Sequence, residues 1–188
     1  MIGRDNDLWM ALRTLKQYAA FADRFRPSEA IAATVARVGE VSTLGKARLM
    51  AELQALSFRD TERPDHWVMR QGARHRVLAD LGTDAAAEIA AMVGEPAKPL
   101  ADALRGDGAF AADAITALID RTPDLPDEAE VTALRQIATV LDRAGPIAPA
   151  YRQLVRLRGT LNRIDAARRA DALLSETFVG RDDELLRI

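Results

Sequence analysis

The sequence predicts a mainly α-helical protein, a multi-helix bundle that carries one small β-hairpin. Of its 188 residues, 48% are hydrophobic and only 5% are aromatic. Alanine, the strongest helix former, supplies much of the apolar content. Apolar residues recur at the three- and four-residue spacing of amphipathic helices, whereas runs rich in Val, Ile, Thr and Tyr are rare. The chain is long enough to build one ordinary domain or two small ones.

Three helices open the chain. The first spans residues 5–25 and stops before Pro27, because proline interrupts a helix. The second begins with Ser28 as its N-cap and ends at Gly39, a left-handed C-cap. The third spans residues 43–56. Their helical spacing predicts inward-facing apolar residues, which are Leu8, Leu12, Leu15, Ala19, Ala22, Ile31, Val35, Val38, Leu44, Leu49, Met50, Leu53 and Leu56.

A short non-helical stretch follows the third helix. Two aromatic-bearing segments, 57–60 and 66–69, flank the polar turn Thr61-Glu-Arg-Pro-Asp65, and this pattern predicts a β-hairpin. A further helix over 73–81 ends at Gly82. Helix, helix, hairpin and helix is the outline of a winged helix, and residues 27–82 resemble a degenerate module of that kind.

The sequence pattern of residues 83–177 predicts a second helical bundle. Glycine and proline residues divide this stretch into short helices. Asp127 and Glu130 form a D-x-x-E capping box at the start of a helix that runs to Arg143. The last helix spans 147–175. The other predicted boundaries are helix starts at Thr83, Pro96 and residue 109, and helix ends at Gly94, Gly106 and the residues before Pro123.

Composition excludes several classes of function. The net charge of −2 gives no overall attraction to nucleic acid or to a membrane. The chain has no cysteine, so disulfides, thiolate nucleophiles and cysteine-based zinc sites are excluded. No apolar run approaches the ~18 residues of a membrane span, and the polar start is unlike a signal peptide. These features fit a cytoplasmic protein.

Catalytic residues are scarce. His66 and His75 are the only side chains whose unperturbed pKa lies near neutrality, and they are nine positions apart with a turn predicted between them. No serine stands in a G-x-S-x-G turn. We therefore expect that the chain is not an enzyme and that it binds no metal ion. A helical enzyme remains the alternative, and a polar pocket around either histidine would support it.

Two groups of basic residues are candidates for binding. The first surrounds the hairpin but is diluted by acidic residues, and the candidate recognition helix carries only Lys46 and Arg48 against Glu52. That is a thin basic footprint for phosphate contacts, which disfavours nucleic acid and favours a protein contact. The arginines of this first group are Arg59, Arg63, Arg70, Arg74 and Arg76.

The second group lies on the last helix, where Arg152, Arg156 and Arg163 share one face. One interpretation is a solvated helix face, which charged runs usually are. The other is a docking surface for an acidic partner, because the planar guanidinium pairs bidentately with carboxylates.

The C-terminal run Phe178-Val-Gly-Arg-Asp-Asp-Glu-Leu185 resembles the segment that begins the nucleotide-binding domain of STAND and AAA+ ATPases. The resemblance implies that Val179, Gly180 and Arg181 line the adenine side of an ATP pocket in the complete protein. No G-x-x-x-x-G-K-[ST] phosphate loop is present, so no cofactor is expected in this chain, whereas ATP and Mg²⁺ are expected for the complete protein. An amphipathic tail is the alternative.

The residue patterns predict a winged-helix-like module at 1–82 and a helical bundle at 83–177, and the resemblance implies the start of a nucleotide-binding domain at 178–188. It also implies a non-catalytic regulatory or adaptor region of a signalling or defence ATPase. Such a region binds a protein partner or its own ATPase domain, or it self-associates. The alternative is a DNA-binding winged-helix regulator fused to the same kind of ATPase.

Overall fold

The computed structural model describes the backbone of residues 3–185 and the side chains of residues 7–82 and 85–174. That part of the chain is mainly helical with one small hairpin, so the predicted fold class is confirmed. Short 3₁₀ turns occupy Glu95–Ala97, Gly108–Phe110 and Gly145–Ile147. The elements are α1 (Gly3–Phe21), α2 (Pro27–Val38), α3 (Thr43–Leu56), β1 (Ser57–Arg59), β2 (Trp67–Met69), α4 (Gln71–Ala79), α5 (Thr83–Val93), α6 (Lys98–Arg105), α7 (Ala112–Arg121), α8 (Glu128–Ala144) and α9 (Gln153–Leu185).

Helix α1 is the centre of the N-terminal half, where α2, α3, α4 and α5 pack around it. Its second half is enclosed on several sides, and Leu15, Ala19 and Phe21 have no solvent exposure. Burial of a large apolar side chain contributes about 1.5–3 kcal/mol. The exposed side of its first half carries Trp9, which Arg13 covers at 5.6 Å from the ring centroid.

The predicted hairpin is confirmed. Strands β1 and β2 pair antiparallel, with Phe58 opposite Val68. Phe25, between α1 and α2, adds a one-residue third strand: its N–H donates to the Trp67 carbonyl at 3.0 Å, and the Trp67 N–H donates to the Phe25 carbonyl at 2.8 Å. This pairing explains why α1 ends at Phe21 rather than at residue 25. The first half therefore runs in the order helix, extended residue, two helices and hairpin.

The C-terminal half is built around α8. Helix α6 packs between α5 and α8, α9 packs along α8, and α7 packs against α9. Contacts of α1 with α5 and of α4 with α8 join this half to the first, so the buried apolar residues form one cluster. Its fully buried side chains include Leu100, Ile115, Leu134, Leu141, Leu157 and Ile164. Within the described chain, none of the helices combines the length and the apolar character that crossing a membrane requires.

Two of the predicted helix starts are set by side-chain caps. The Gly45 N–H donates to Ser42 Oγ at 3.1 Å at the start of α3, and the Glu130 N–H donates to Asp127 Oδ1 at 2.8 Å at the start of α8. Each satisfies one of the N–H groups that a helix leaves unpaired at its first turn. The capping role of Asp127 is thus confirmed.

The predicted start of α2 is wrong. Ser28 is not its N-cap, because Arg26 occupies that position and Pro27 is the first helical residue. Proline suits this position, since its missing N–H would have had no partner and its φ is already helical. No side chain caps this end.

Two further predictions need correction. Leu44 does not face the core but is 69% exposed, and Gly45 takes the buried position next to it. The last helix begins at Gln153 rather than at residue 147. Ala148 precedes Pro149 and is extended (φ −66°, ψ 130°), as the steric restriction before proline requires, so the helix cannot start earlier.

Gly39 and Gly145 end α2 and α8 with a positive φ. Gly39 has φ 94° and ψ −165°, so it ends α2 as predicted but not in the left-handed helical conformation. Gly145 has φ 73° and ψ −163°, in the same region, which is essentially restricted to glycine. A Cβ atom on Gly145 would lie 2.6 Å from His75 Cδ2, whereas one on Gly39 would meet nothing within 4 Å.

Candidate functional site

The two histidines lie on different elements, and each contacts a nearby oxygen. His66 Nδ1 is 2.8 Å from Asp65 Oδ1 in the hairpin loop, and His75 Nε2 is 3.0 Å from the Asp142 carbonyl at the end of α8. The contact of His75 with the Asp142 carbonyl links α4 to α8. In the hairpin loop, hydrogen bonds from His66 first and from Arg26 second hold the pKa of the Asp65 carboxyl below its usual value. In the side chains that the structure describes, no group of three or more His, Asp or Glu could hold a metal ion.

The acidic residues of the hairpin loop are paired with two arginines from the segment between α1 and α2. Arg24 Nε lies 2.9 Å from Asp60 Oδ2, and its Nη2 lies 3.2 Å from Glu62 Oε2. Arg26 Nε lies 2.8 Å from Asp65 Oδ2. The hairpin loop and the segment beside it thus place Arg24, Arg26, Arg59 and Arg63 against Asp60, Glu62 and Asp65, which leaves a modest positive charge.

The basic group that the sequence places around the hairpin is divided in the structure. Arg59, Arg63, Arg70 and Arg76 are exposed, whereas Arg74 is only 5% exposed. The Arg74 Nη2 donates to the Ala22 carbonyl at 3.3 Å, just beyond the end of α1. The cluster therefore does not act as one surface.

Arg74 and Arg143 together hold the C-terminal end of α1. Arg143 Nη2 donates to the Phe21 carbonyl at 3.0 Å, and its Nη1 lies 3.5 Å from Asp23 Oδ1. Cations are favourable there because the last carbonyls of a helix lack partners and carry partial negative charge. Burial, and secondarily the charge of Arg143, lower the pKa of Arg74 to about 10, so the group stays protonated at neutral pH. This pair of arginines is a structural clamp.

Of the three arginines predicted for docking, Arg156 and Arg163 lie on α9, whereas Arg152 lies in the turn just before it and not on the helix as predicted. Arg156 Nη2 is 2.9 Å from Asp120 Oδ1, and Arg163 Nε is 3.1 Å from Asp124 Oδ1. Arg152 is exposed, and no ion pair joins it to another described residue. Two of the three arginines therefore already have carboxylate partners. Arg158 and Arg168 are paired in the same way, with Asp142 and Glu128.

An apolar groove between α2 and α3 is the most distinctive surface of the described chain. Its volume is about 780 Å³. It continues into a depression of about 940 Å³ beside the first turns of α1, since Val35 and Lys46 line both, and Leu44 stands exposed there. The residues that line the groove are Ser28, Ile31, Ala32, Val35, Ala36, Lys46, Ala47 and Met50.

Sequence reasoning missed this groove because it assigned Ile31, Val35 and Met50 to the core. All three are only partly buried. A signal was present in α2, where Glu29 is the one charged residue between Pro27 and Ala36. A helix face that meets only water normally carries more charge than that.

The charged residues around the groove are of both signs. Lys46 lines both the groove and the depression, whereas Arg48 lines only the depression. Asp7 and Glu40 also line the depression, so its two cations stand beside two carboxylates. Glu52 on α3 pairs with Lys16 of α1 at 2.8 Å.

Val179, Gly180 and Arg181 fall in the last part of α9, whose backbone is helical through Leu185. Their side chains lie outside the described residues, so their predicted place in a nucleotide pocket stays a prediction. No protein-family model, curated protein or solved structure matches the chain.

Proposed function

We propose that this chain is a non-catalytic protein-binding region, the N-terminal adaptor or regulatory part of a larger STAND/AAA+-like ATPase of the cytoplasm. The observation that carries the proposal is the apolar groove between α2 and α3, which Lys46 also lines. Grooves of this kind bind amphipathic segments of partner proteins. The scattered positions of the two histidines give no support to a reaction centre.

The ATPase part of the proposal depends on the resemblance of residues 178–185 to the start of a nucleotide-binding domain. In that arrangement Val179, Gly180 and Arg181 contact ATP in the complete protein, with Mg²⁺ supplied to the phosphates. Helix α9 then connects the described bundle to the ATPase domain. Self-association of the bundle is a further way in which such a region regulates its ATPase.

The α9 arginines are proposed as a docking surface for an acidic partner or for the ATPase domain itself. Arg152 is available for such a contact, whereas Arg156 and Arg163 would exchange Asp120 and Asp124 for the partner's carboxylates. Exposed pairs of this kind contribute only about 0–1 kcal/mol, so their exchange is inexpensive.

The first test of the proposal is the nucleotide sequence of the gene beyond codon 188. We expect a G-x-x-x-x-G-K-[ST] phosphate loop within a few dozen codons after Ile188, and a stop codon at that point would overturn the ATPase assignment. The complete protein is then compared with a form that lacks residues 1–177. We expect ATP binding in both forms and a changed hydrolysis rate in the shortened one. An unchanged rate would exclude a regulatory role.

A second candidate function is duplex DNA binding by the winged-helix-like module, favoured by the exposed Lys46 and Arg48 on α3. The carboxylates of Asp60, Glu62 and Asp65, set among the arginines of the hairpin, argue against it. Fluorescence anisotropy with labelled duplex DNA distinguishes the two, because phosphate contacts make affinity fall steeply with salt. Salt-dependent binding that Lys46→Glu weakens would favour the DNA reader.

A further inference from the structure

A polar recess, the α7–α9 recess, lies between the end of α7 and the first half of α9. Its volume is about 380 Å³. The four residues that α9 contributes follow one another at the spacing i, i+3, i+4 and i+7, so they share one helix face. Two arginines on that face therefore stand on either side of a glycine and a threonine. The lining includes Arg156, Gly159, Thr160 and Arg163 of α9, and Asp120 and Thr122 at the end of α7.

Thr160 brings a buried hydroxyl without a partner to this recess. The residue is only 4% exposed, yet it lines the recess. No hydrogen bond joins its hydroxyl to another residue within the described ranges. Buried hydroxyls usually have a partner, and helical threonines often donate to the carbonyl four residues earlier, as Thr34 and Thr139 do. A bound group with an acceptor atom would provide the missing partner.

Gly159 leaves open space between the two arginines. It stands in the interior of α9, where glycine lowers helix stability relative to alanine. Neither the backbone nor packing requires glycine here, since its φ is not positive and a Cβ at this position would meet nothing within 4 Å. The missing side chain instead allows a ligand to approach the backbone closely.

The ion pairs at the recess favour an anion with more than one negative charge. The side chains of Arg156 and Arg163 are half exposed, and they pair with Asp120 and Asp124 at 2.9 and 3.1 Å. A single carboxylate would compete poorly with these aspartates, which the chain holds nearby at high effective concentration. A phosphate monoester carries about −1.5 to −2 charges at pH 7 and three acceptor oxygens. It can therefore pair with both guanidiniums and still accept from a hydroxyl.

Positive charge exceeds negative charge in this region. Arg121 follows Asp120 in the chain, and Arg152 precedes Arg156 by four positions. Both are exposed, and neither forms an ion pair with another residue of the described part. The lining holds no aromatic side chain, so a nucleotide base would have no ring to stack on. A phosphorylated side chain needs no such ring.

We propose that the α7–α9 recess binds the phosphate group of a phosphorylated serine or threonine side chain of a partner protein. Arg156 and Arg163 pair with the phosphate oxygens, and the Thr160 hydroxyl donates a further hydrogen bond. This inference rests on the proposed docking role of the α9 arginines and names the group that they recognise.

The test uses the full 188-residue chain and follows the amide signals of Gly159 and Thr160 by two-dimensional nitrogen–proton NMR. The probes are a short alanine-based peptide with one central phosphoserine, the same peptide with glutamate at that position, and adenosine monophosphate. We expect the phosphoserine peptide to shift both amides and to bind at least about tenfold more tightly than the glutamate peptide, because it has an additional charge and an additional oxygen. Adenosine monophosphate should bind no more tightly than the phosphoserine peptide.

Four variants test the individual contacts of the phosphoserine peptide. Arg156→Gln/Arg163→Gln should lower its affinity by about tenfold or more, and Thr160→Val, which removes the hydroxyl but keeps the shape, by about threefold or more. Gly159→Leu should abolish binding because it fills the recess, although leucine is the better helix former. Arg158→Gln is the matched control on the same helix, since Arg158 pairs with Asp142 and does not line the recess. It should leave the affinity within about twofold.

Removing the competing carboxylates should have the opposite effect. In the Asp120→Asn/Asp124→Asn variant both arginines lose their partners within the chain, so the phosphoserine peptide should bind about threefold or more tighter. Urea denaturation checks that each variant is folded, and a variant that fails to fold leaves Thr160→Val and Arg158→Gln to decide.

The outcomes separate the inference from the proposed function. Unshifted Gly159 and Thr160 amides, equal affinity for the phosphoserine and glutamate peptides, or tighter binding of adenosine monophosphate would each overturn the inference. A random library of unphosphorylated peptides displayed against the same chain tests the docking role separately. Selected peptides that lose affinity in the Arg156→Gln/Arg163→Gln variant would keep the docking surface in place without a phosphate site.

Discussion

Replacing Gly145 with alanine is expected to destabilise the protein more than the same change at Gly39. Both glycines end a helix in nearly the same backbone conformation, with φ 73° and ψ −163° at Gly145 and φ 94° and ψ −165° at Gly39. They differ in their surroundings. A Cβ on Gly145 would lie 2.6–2.9 Å from three atoms of the His75 ring, and a Cβ on Gly39 would meet no atom within 4 Å.

The expected loss of stability has two parts, the backbone conformation of the glycine and its contact with the His75 ring. Holding alanine in this glycine-only region costs about 1–3 kcal/mol at either position. At Gly145 the His75 ring must also move, and the contact between its Nε2 and the Asp142 carbonyl at 3.0 Å is lost. A hydrogen bond of this kind contributes about 0.5–1.5 kcal/mol. We therefore expect Gly145→Ala to cost about 2–4 kcal/mol in all, which lowers Tm by roughly 4–16 °C for a chain of this size.

Urea denaturation of five proteins measures this difference: the wild type, Gly39→Ala, Gly145→Ala, His75→Ala and the double variant Gly145→Ala/His75→Ala. Removing the ring relieves the clash, so Gly145→Ala should cost about 1 kcal/mol less in the His75→Ala background. Gly72→Ala, in α4 at ordinary φ with open space around it, is the control, and it should not destabilise the protein because alanine is the better helix former. Equal losses at Gly39 and Gly145, with no coupling to His75, would refute the reasoning.

Three further changes test other parts of the molecule. Arg143→Met removes the guanidinium that binds the Phe21 carbonyl, and we expect a loss of about 1–3 kcal/mol in the free energy of unfolding, measured by urea titration. Asp127→Ala removes the cap of α8 and should cost about 1 kcal/mol by the same measurement; no loss would show that the cap is dispensable. Asp65 should titrate below the usual Asp range when followed by NMR, and Arg26→Gln should raise its pKa. Because its folded pKa is lowered, the stability that this contact gives is present above the unfolded pKa and is lost as pH falls through the folded one.

Helix boundaries could be predicted from the sequence wherever a local signal marks them. Ser42 and Asp127 accept from backbone N–H groups three residues ahead, and such contacts depend only on neighbours in the chain. The predicted helix boundaries are wrong where a residue far away in the sequence determines where the helix ends. Helix α1 stops early because Phe25 pairs with Trp67, 42 positions later in the numbering. A window of local sequence contains no information about that partner.

The surface chemistry was harder to predict for the same reason. The acidic partners of Arg156 and Arg163 come from α7 and the segment after it, 36 and 39 positions away, so the last helix looked more basic than the folded surface is. The groove depends on how far apart α2 and α3 pack, and no residue pattern within one helix fixes that distance. Only the scarcity of charge along α2 indicated that its outer face is apolar.

The clamp on the end of α1 bears on how this fold can be inherited. Phe21 and Arg143 are 122 positions apart, yet one carbonyl and one guanidinium join them, and Arg74 lies buried beside that contact. A recombination event that brought in a second half without an arginine at position 143 would leave the Phe21 carbonyl without this donor, while Arg74 would still bind the Ala22 carbonyl. Exchanges between positions 74 and 143 should therefore cost stability whenever the incoming half lacks that arginine.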